Sequence, residues 1–262
     1  RGKLDASVTA AVRQSGGSLK GGANGVYLAT VPNSSLRTLG AAAGIQSVAV
    51  PMDVESARSV VPRVESGQVE RGPVSGQNVA AIAPWHATGL RGAGSKVGLI
   101  ALFDPATLAT EISSGELPAI PAGNTTCISA AVTCPFGTVG QTWGNSLAEI
   151  IADGAPDATL YLAELGYRTD YYQVIDWMAS KGVTILVNPI VWTYDGPGNG
   201  TGPSAAIVDY AVSKGIAWFN TAGELGFNYS APGTYWRAAW SATDNDKWLN
   251  FKGADESLTV SY

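Results

Sequence analysis

Three kinds of side chain in this sequence could do chemistry: two cysteines, one histidine and a few closely spaced acids. Cys127 and Cys134 flank one short loop, near enough to bridge, with two free thiols as the alternative. Closing so small a ring would stabilise the fold by about 2.5 kcal/mol in the chain-entropy account, which favours the bridge. A zinc site fits poorly, because two cysteines and the distant His86 cannot fill a four-ligand shell. Glu149 and Asp153 share a helix face at i, i+4 spacing, where a pair of carboxyls could divide acid and base work. Asp244, Asn245 and Asp246 could touch calcium, but their loop lacks the Gly and the terminal Glu of a known calcium loop, so no metal and no cofactor is expected.

The elements that must position these groups are strongest from Trp143 to Leu165. Leu147, Ile150 and Ile151 fall at helical spacing and predict an inward face there. Asp153-Gly154 is a helix exit, Ala155-Pro156 prevents continuation, and Ala158 to Ala163 is a short buried strand. Lys96 to Phe103 is a continuous apolar run of the kind a central parallel strand requires. Tyr171 to Gly182 predicts a helix with Val174, Trp177 and Met178 inward, followed by the buried run VTILVNPIV. Pro203 opens a further helix, where its missing N–H costs nothing, and a strand from Ile216 to Asn220 follows. Residues 77–94 predict a helix carrying His86 and then a turn; residues 105–142 have weak periodicity and read as surface loops with one short strand.

Residues 1–51 read as a small α+β module. Val8, Val12 and Leu19 sit in a helix-like segment, Val26–Val31 and Val48–Val50 as strands, and Leu36 and Leu39 in a second helix, which together suit a split βαβ unit. Residues 52–76, with Pro62, Pro73, Ser, Gly and mixed charge, form a linker; 77–232 form the α/β domain and 233–262 a β-rich extension. With 16 basic against 21 acidic residues and no basic stripe, nucleic acid is not an expected partner. No apolar stretch reaches the roughly 18 residues of a membrane span. Sparse charge with abundant Gly, Ser and Thr leans towards a secreted, mature form.

The stretch WGNSLAEIIADGAPDATLYLA resembles the segment HGTxxAEI…APxAxLYLA of the subtilases, the subtilisin-like serine peptidases. DGPGNGTGPSAAIVDYAVSKGI is similar to a second segment of that family, and GVYLATVP with LGAAAGIQSVAVP resembles, less specifically, its inhibitor-like prodomain. The resemblance covers most of residues 85–262. It implies a subtilisin-like parallel sheet with helices on both faces, preceded by a prodomain-like module and followed by a short β-rich segment. It places Trp143 where the family has its general-base His, Ala101 where it has the orienting Asp, and Glu224 where it has the oxyanion Asn. It also sets Pro189 and Trp192 on the edge that pairs with substrate, where a lost donor and a bulky ring hinder an added strand.

Neighbouring residues do not restore the site. Asp104 lies three residues beyond Ala101, about 10 Å along a strand and on its opposite face. His86 precedes the first sheet strand and reads as a structural helix residue. Glu149 and Asp153 match ordinary scaffold positions of the family, and Ser204 reads as part of a helix start, not as a nucleophile. The resemblance therefore implies a pseudo-peptidase, secreted, acting by binding a protein or peptide or by self-assembly through its terminal strand SLTVSY. The alternative is a fragment of a secreted serine endopeptidase whose nucleophile segment lies beyond residue 262; an enzyme of another class stands as a further alternative.

Overall fold

The computed structural model describes residues 6–51, 82–130, 134–190, 192 and 200–221. In chain order these form α1 (Ala6–Gln14), β1 (Ser18–Ala23), β2 (Val26–Thr30), α2 (Leu36–Gly40), α3 (Ala83–Ala87), β3 (Lys96–Ile100), α4 (Pro105–Ser114), β4 (Thr125–Ile128), α5 (Trp143–Gly154), β5 (Thr159–Leu165), α6 (Tyr171–Ser180), β6 (Ile185–Asn188), α7 (Pro203–Ser213) and β7 (Ala217–Asn220). The linker 52–76 and the β-rich extension 233–262 lie outside the described residues, as do Glu224, Asp244, Asn245 and Asp246.

The apolar run at Lys96 becomes the central strand of a five-stranded, all-parallel sheet ordered β4-β5-β3-β6-β7. Leu99 lies level with Leu162 of β5 and Val187 of β6, and Gly98 with Tyr161 and Leu186. Because side chains alternate across a strand, Gly98 and Leu99 point to opposite faces. On the Gly98 face, α6 comes so close that a Cβ at Gly98 would lie 2.7 Å from Met178 Sδ. Tyr172 and Tyr210 meet edge to face at 5.2 Å and join α7 to α6 on that side. On the Leu99 face, α5 presses on the end of β3, where a Cβ at Gly144 would collide with the Leu102 carbonyl. The sheet thus has helices on both faces, and strands buried from both sides read as unbroken apolar runs.

Three expectations need correction. The inward face of α5 is Trp143, Gly144, Asn145, Ala148 and Ala152, whereas Ile150 is 61% exposed and Leu147 and Ile151 are half-buried flanks. Small residues on that face let the helix approach the sheet; large ones would hold it away. The stretch 105–142 is not only loop, because Asp104-Pro105 starts α4. The Asp104 carboxylate caps it by accepting from Thr107 N at 2.8 Å, Pro105 occupies the first turn, and Gly115 ends the helix at φ +87°.

The N-terminal module is not a βαβ unit. Leu19 belongs to β1, which pairs antiparallel with β2 across a two-residue turn at Asn24-Gly25, both at positive φ. Val48–Val50 forms no strand, and Val50 is 88% exposed. Val8, Ala11, Val12 and Leu39 form a small core of their own under this hairpin. The hairpin rests on the larger unit, where a Cβ at Gly21 would lie 2.6 Å from the Ala130 methyl.

Candidate functional site at the carboxyl edge of the sheet

From β3 the chain leads to β4 on one side of the sheet, and from β5 it crosses to β6 on the other. The two exits diverge between β3 and β5, which is where open α/β sheets present a crevice for ligands. Here the ends of the two strands are tied together and to a following loop. Glu164, 1% exposed at the end of β5, accepts from Phe103 N at 2.8 Å and from Gly137 N at 3.0 Å. Thr138 N donates to Phe103 O at 2.7 Å, and the Phe136 ring stacks on Phe103 at 5.4 Å. Residues 136–140 therefore lie across the ends of both strands. Gly140 N closes the segment by donating to Asp104 Oδ2 at 2.7 Å. The segment begins at Cys134, which is disulfide-bonded to Cys127 of β4 with the Cα atoms 5.5 Å apart.

The structure brings Ala101 and Trp143 into one neighbourhood. Ala101 N extends the sheet ladder to Ala163 O at 3.0 Å, and Gly144 N donates to Leu102 O at 3.1 Å, seating the start of α5 on this strand end. A Cβ at Gly144 would come within 2.9 Å of the Ala101 methyl. Trp143 is buried, and among the described residues its indole N–H meets no acceptor. This corner thus holds a methyl and an unpaired indole, neither of which moves a proton. His86 is elsewhere: its Nε2 lies 3.0 Å from Gly154 O, at the far end of the 12-residue α5. Such a helix is about 18 Å long, so the imidazole cannot reach Trp143.

Asp104 is committed to structure. Hydrogen bonds from the Thr107 and Gly140 N–H groups hold its carboxyl below the usual range. Asn145, fully buried, accepts from Asp104 N at 3.0 Å and donates to Asp104 O and Glu111 Oε2, each at 3.1 Å. Burial chiefly, then the charges of Glu149 and Asp104, push Glu111 up to about 7 against the opposing Asn145 bond. Asp170 is buried and its carboxyl is raised by burial, while N–H groups of Tyr167, Ala130 and Gly166 act in the other direction.

A second polar cluster closes the ends of β6 and β7. Asn188 and Asn220 are register partners, joined by a 2.7 Å bond from Asn188 Nδ2 to Asn220 Oδ1. Tyr171 OH donates to Asn188 Oδ1 at 2.6 Å and accepts from Trp192 Nε1 at 3.3 Å. The Tyr171 ring meets Trp192 at 6.2 Å and Trp218 at 5.7 Å, and burial raises its phenol. Pro189, half-buried, follows Asn188 directly, so Pro189 and Trp192 share one corner at the end of β6.

Sequence reading missed Asn145, Glu111, Glu164, Asp170 and the Asn188–Asn220 pair. The last left a signal, since both ILVN and AWFN are apolar strands that end on Asn. Among the described residues no group of His, Cys, Asp and Glu could hold a metal ion, and no helix is long and apolar enough to cross a membrane. The fold and this edge define the chain as an α/β protein built on a parallel sheet, with residues 137–138 bonded to the ends of β3 and β5. No protein-family model matches the chain, and no curated protein matches it.

Proposed function

We propose that the chain is a catalytically inactive relative of the subtilisin-like peptidases that works outside the cell by binding a protein or peptide, copies of itself included. The observation that carries this reading is the corner where the Trp143-Gly144 start of α5 sits on Ala101, beside strand ends that residues 137–140 bond across. The general acid–base step of acyl transfer needs a base within hydrogen-bond reach of the proton it takes, and a partner that orients it. A methyl and an indole without an acceptor supply neither. Pro189 and Trp192 at the end of β6 favour contact through rings over the addition of an extended strand.

Two measurements test it. Purified protein incubated with casein, or with a fluorophosphonate probe of serine hydrolases, is expected to show neither hydrolysis nor labelling; labelling of any serine refutes the reading. Size-exclusion chromatography across a concentration series addresses self-assembly. A clean monomer at the highest concentration rules against copies of the chain as the partner and leaves binding of other proteins or peptides.

A further inference from the structure

We propose that Asn24 is a site of spontaneous chemical modification: rearrangement of the Asn24-Gly25 turn to isoaspartate acts as a slow, one-way switch that opens the N-terminal hairpin. The register places this pair alone at the tip, because Ala23 closes β1 against Val26 of β2. Both residues are exposed, at φ +51° and +78°. Nothing lies within 4 Å of the place where a side chain on Gly25 would stand, which leaves its N–H approachable by solvent and base. Without a Cβ, Gly25 also turns freely enough to bring its nitrogen to the Asn24 side chain. The other described asparagines lack this combination. The amides of Asn124, Asn145, Asn188 and Asn220 are held in hydrogen bonds, and Asn33 is followed by Ser34, whose side chain crowds the approach. The dipeptide recurs at Asn199-Gly200, where Asn199 lies outside the described residues.

The step needs only base and water. Gly25 N gives its proton to base and bonds to Asn24 Cγ, the Cγ–Nδ2 bond breaks, and Nδ2 leaves as ammonia. Water then opens the cyclic imide. Breaking the bond from nitrogen to Cγ gives aspartate. Breaking the bond from nitrogen to the Asn24 carbonyl carbon gives isoaspartate, whose main chain runs through Cβ and Cγ. Nothing is oxidised or reduced. Isoaspartate puts an extra carbon into the main chain of a two-residue loop, whose fit to the strands depends on positive φ at both positions. The pairs Ala23–Val26 and Gly22–Tyr27 cannot then both be kept. A two-stranded hairpin is marginal without further support, and Leu19, Tyr27 and Ala29 pack against a small core of Val8, Ala11, Val12 and Leu39. Gly21, whose Cβ would lie 2.6 Å from the Ala130 methyl, belongs to the same β1. Opening the turn therefore loosens the module's hold on the larger unit just beyond the carboxyl end of β4.

The test is ageing of the full chain at 37 °C from pH 6 to pH 9, followed by peptide mapping. Mass spectrometry finds the exchange of an amide for an acid, and labelling by protein isoaspartyl methyltransferase identifies isoaspartate. Conversion at Asn24 is expected to quicken with pH and to outrun that at every other described asparagine. Hydrogen exchange of the aged protein is expected to show loss of protection in β1 and β2, with β3 and β5 unchanged. Asn24→Gly cannot react, and Gly-Gly suits the same turn, so this variant is expected to age without that loss. Should it fail to fold, the modified and unmodified fractions of one aged sample, separated by their difference in charge, give the same comparison. Asn24 left intact while a peptide of residues 20–28 converts, or isoaspartate there with the hairpin still protected, overturns the proposal. So does an equal loss of protection in aged Asn24→Gly.

Discussion

At Trp143-Gly144 a single residue type decides the geometry of the candidate site. Gly144 has ordinary helical neighbours, and in an open helix its replacement by Ala would gain about 1 kcal/mol of helix propensity. Here the added methyl would strike the Leu102 carbonyl and press on Ala101 and Phe103. Overpacking of this kind costs about 1–3 kcal/mol, and a backbone oxygen cannot swing aside as a side chain can. Gly144→Ala is therefore expected to lower the urea midpoint despite the better helix former; an unchanged or higher midpoint would mean that α5 stands further from β3 than described. The neighbouring indole matters for a different reason. A buried donor without an acceptor costs about 1–3 kcal/mol of lost hydration, so among the described residues Trp143 contributes through its volume and not through its N–H. Replacing it with Phe is expected to cost less than replacing it with Ala, which forfeits about 3–5 kcal/mol in a packed site.

Between elements, α4 and α5 are joined by polar contacts through Asn145. Asn145→Ala would take the Asn145 partner from Asp104 N and Glu111 Oε2 in a buried contact, while Asp104 O keeps its bond from Leu108 N at 2.9 Å. Unpaired buried groups cost about 1–3 kcal/mol each. Its stability loss is thus expected to exceed about 2 kcal/mol, whereas Ile150→Ala, at a position 61% exposed, should change stability by no more than about 0.5 kcal/mol. Thermal unfolding of the two variants makes the comparison, and the ranking is opposite to what apolar periodicity alone predicts. The same contrast shows what was legible beforehand. β3, β5 and β6 could be read because burial from both faces leaves a continuous apolar run. The start of α4 was also written locally, in Asp104-Pro105, but its weak apolar period hid it. Which face of α5 turns inward depends on how closely a helix may approach a sheet, and Gly144, Ala148 and Ala152 settle that through packing that no local pattern displays. In β1, SLKGGA has few strand formers; its place is fixed by the Asn24-Gly25 turn and by the partner strand. Asn145 contacts residues 34 and 41 positions away, so the polar half of the site became visible only once both helices were in place.

Over the whole described chain there are two cores of very different size. The sheet carries fully buried Leu99, Ile100, Leu162 and Leu186, packed with Ile175 of α6 and the aromatic cluster around Tyr171. The N-terminal module has only Val8, Ala11, Val12 and Leu39 at its centre, over a two-stranded hairpin. Two strands without a third are marginal alone, and a module of this length lacks the buried area to be independently firm. Part of its hold must come from the larger unit, through Gly21 against Ala130, whose own N–H is held by Asp170 at 3.1 Å. Val12→Ala removes two methyl groups from the smaller core and is expected to open the module locally without unfolding the sheet. Native-state hydrogen exchange resolves this, because opening free energies differ between cooperative units of one protein. Amides of α1, β1 and β2 should lose protection in the variant while those of β3 and β5 keep theirs. If protection falls equally in β3 and in the hairpin, the two cores unfold as one, and contact at the Ala130 edge must then be strong enough to bind the module's fate to that of the central strand.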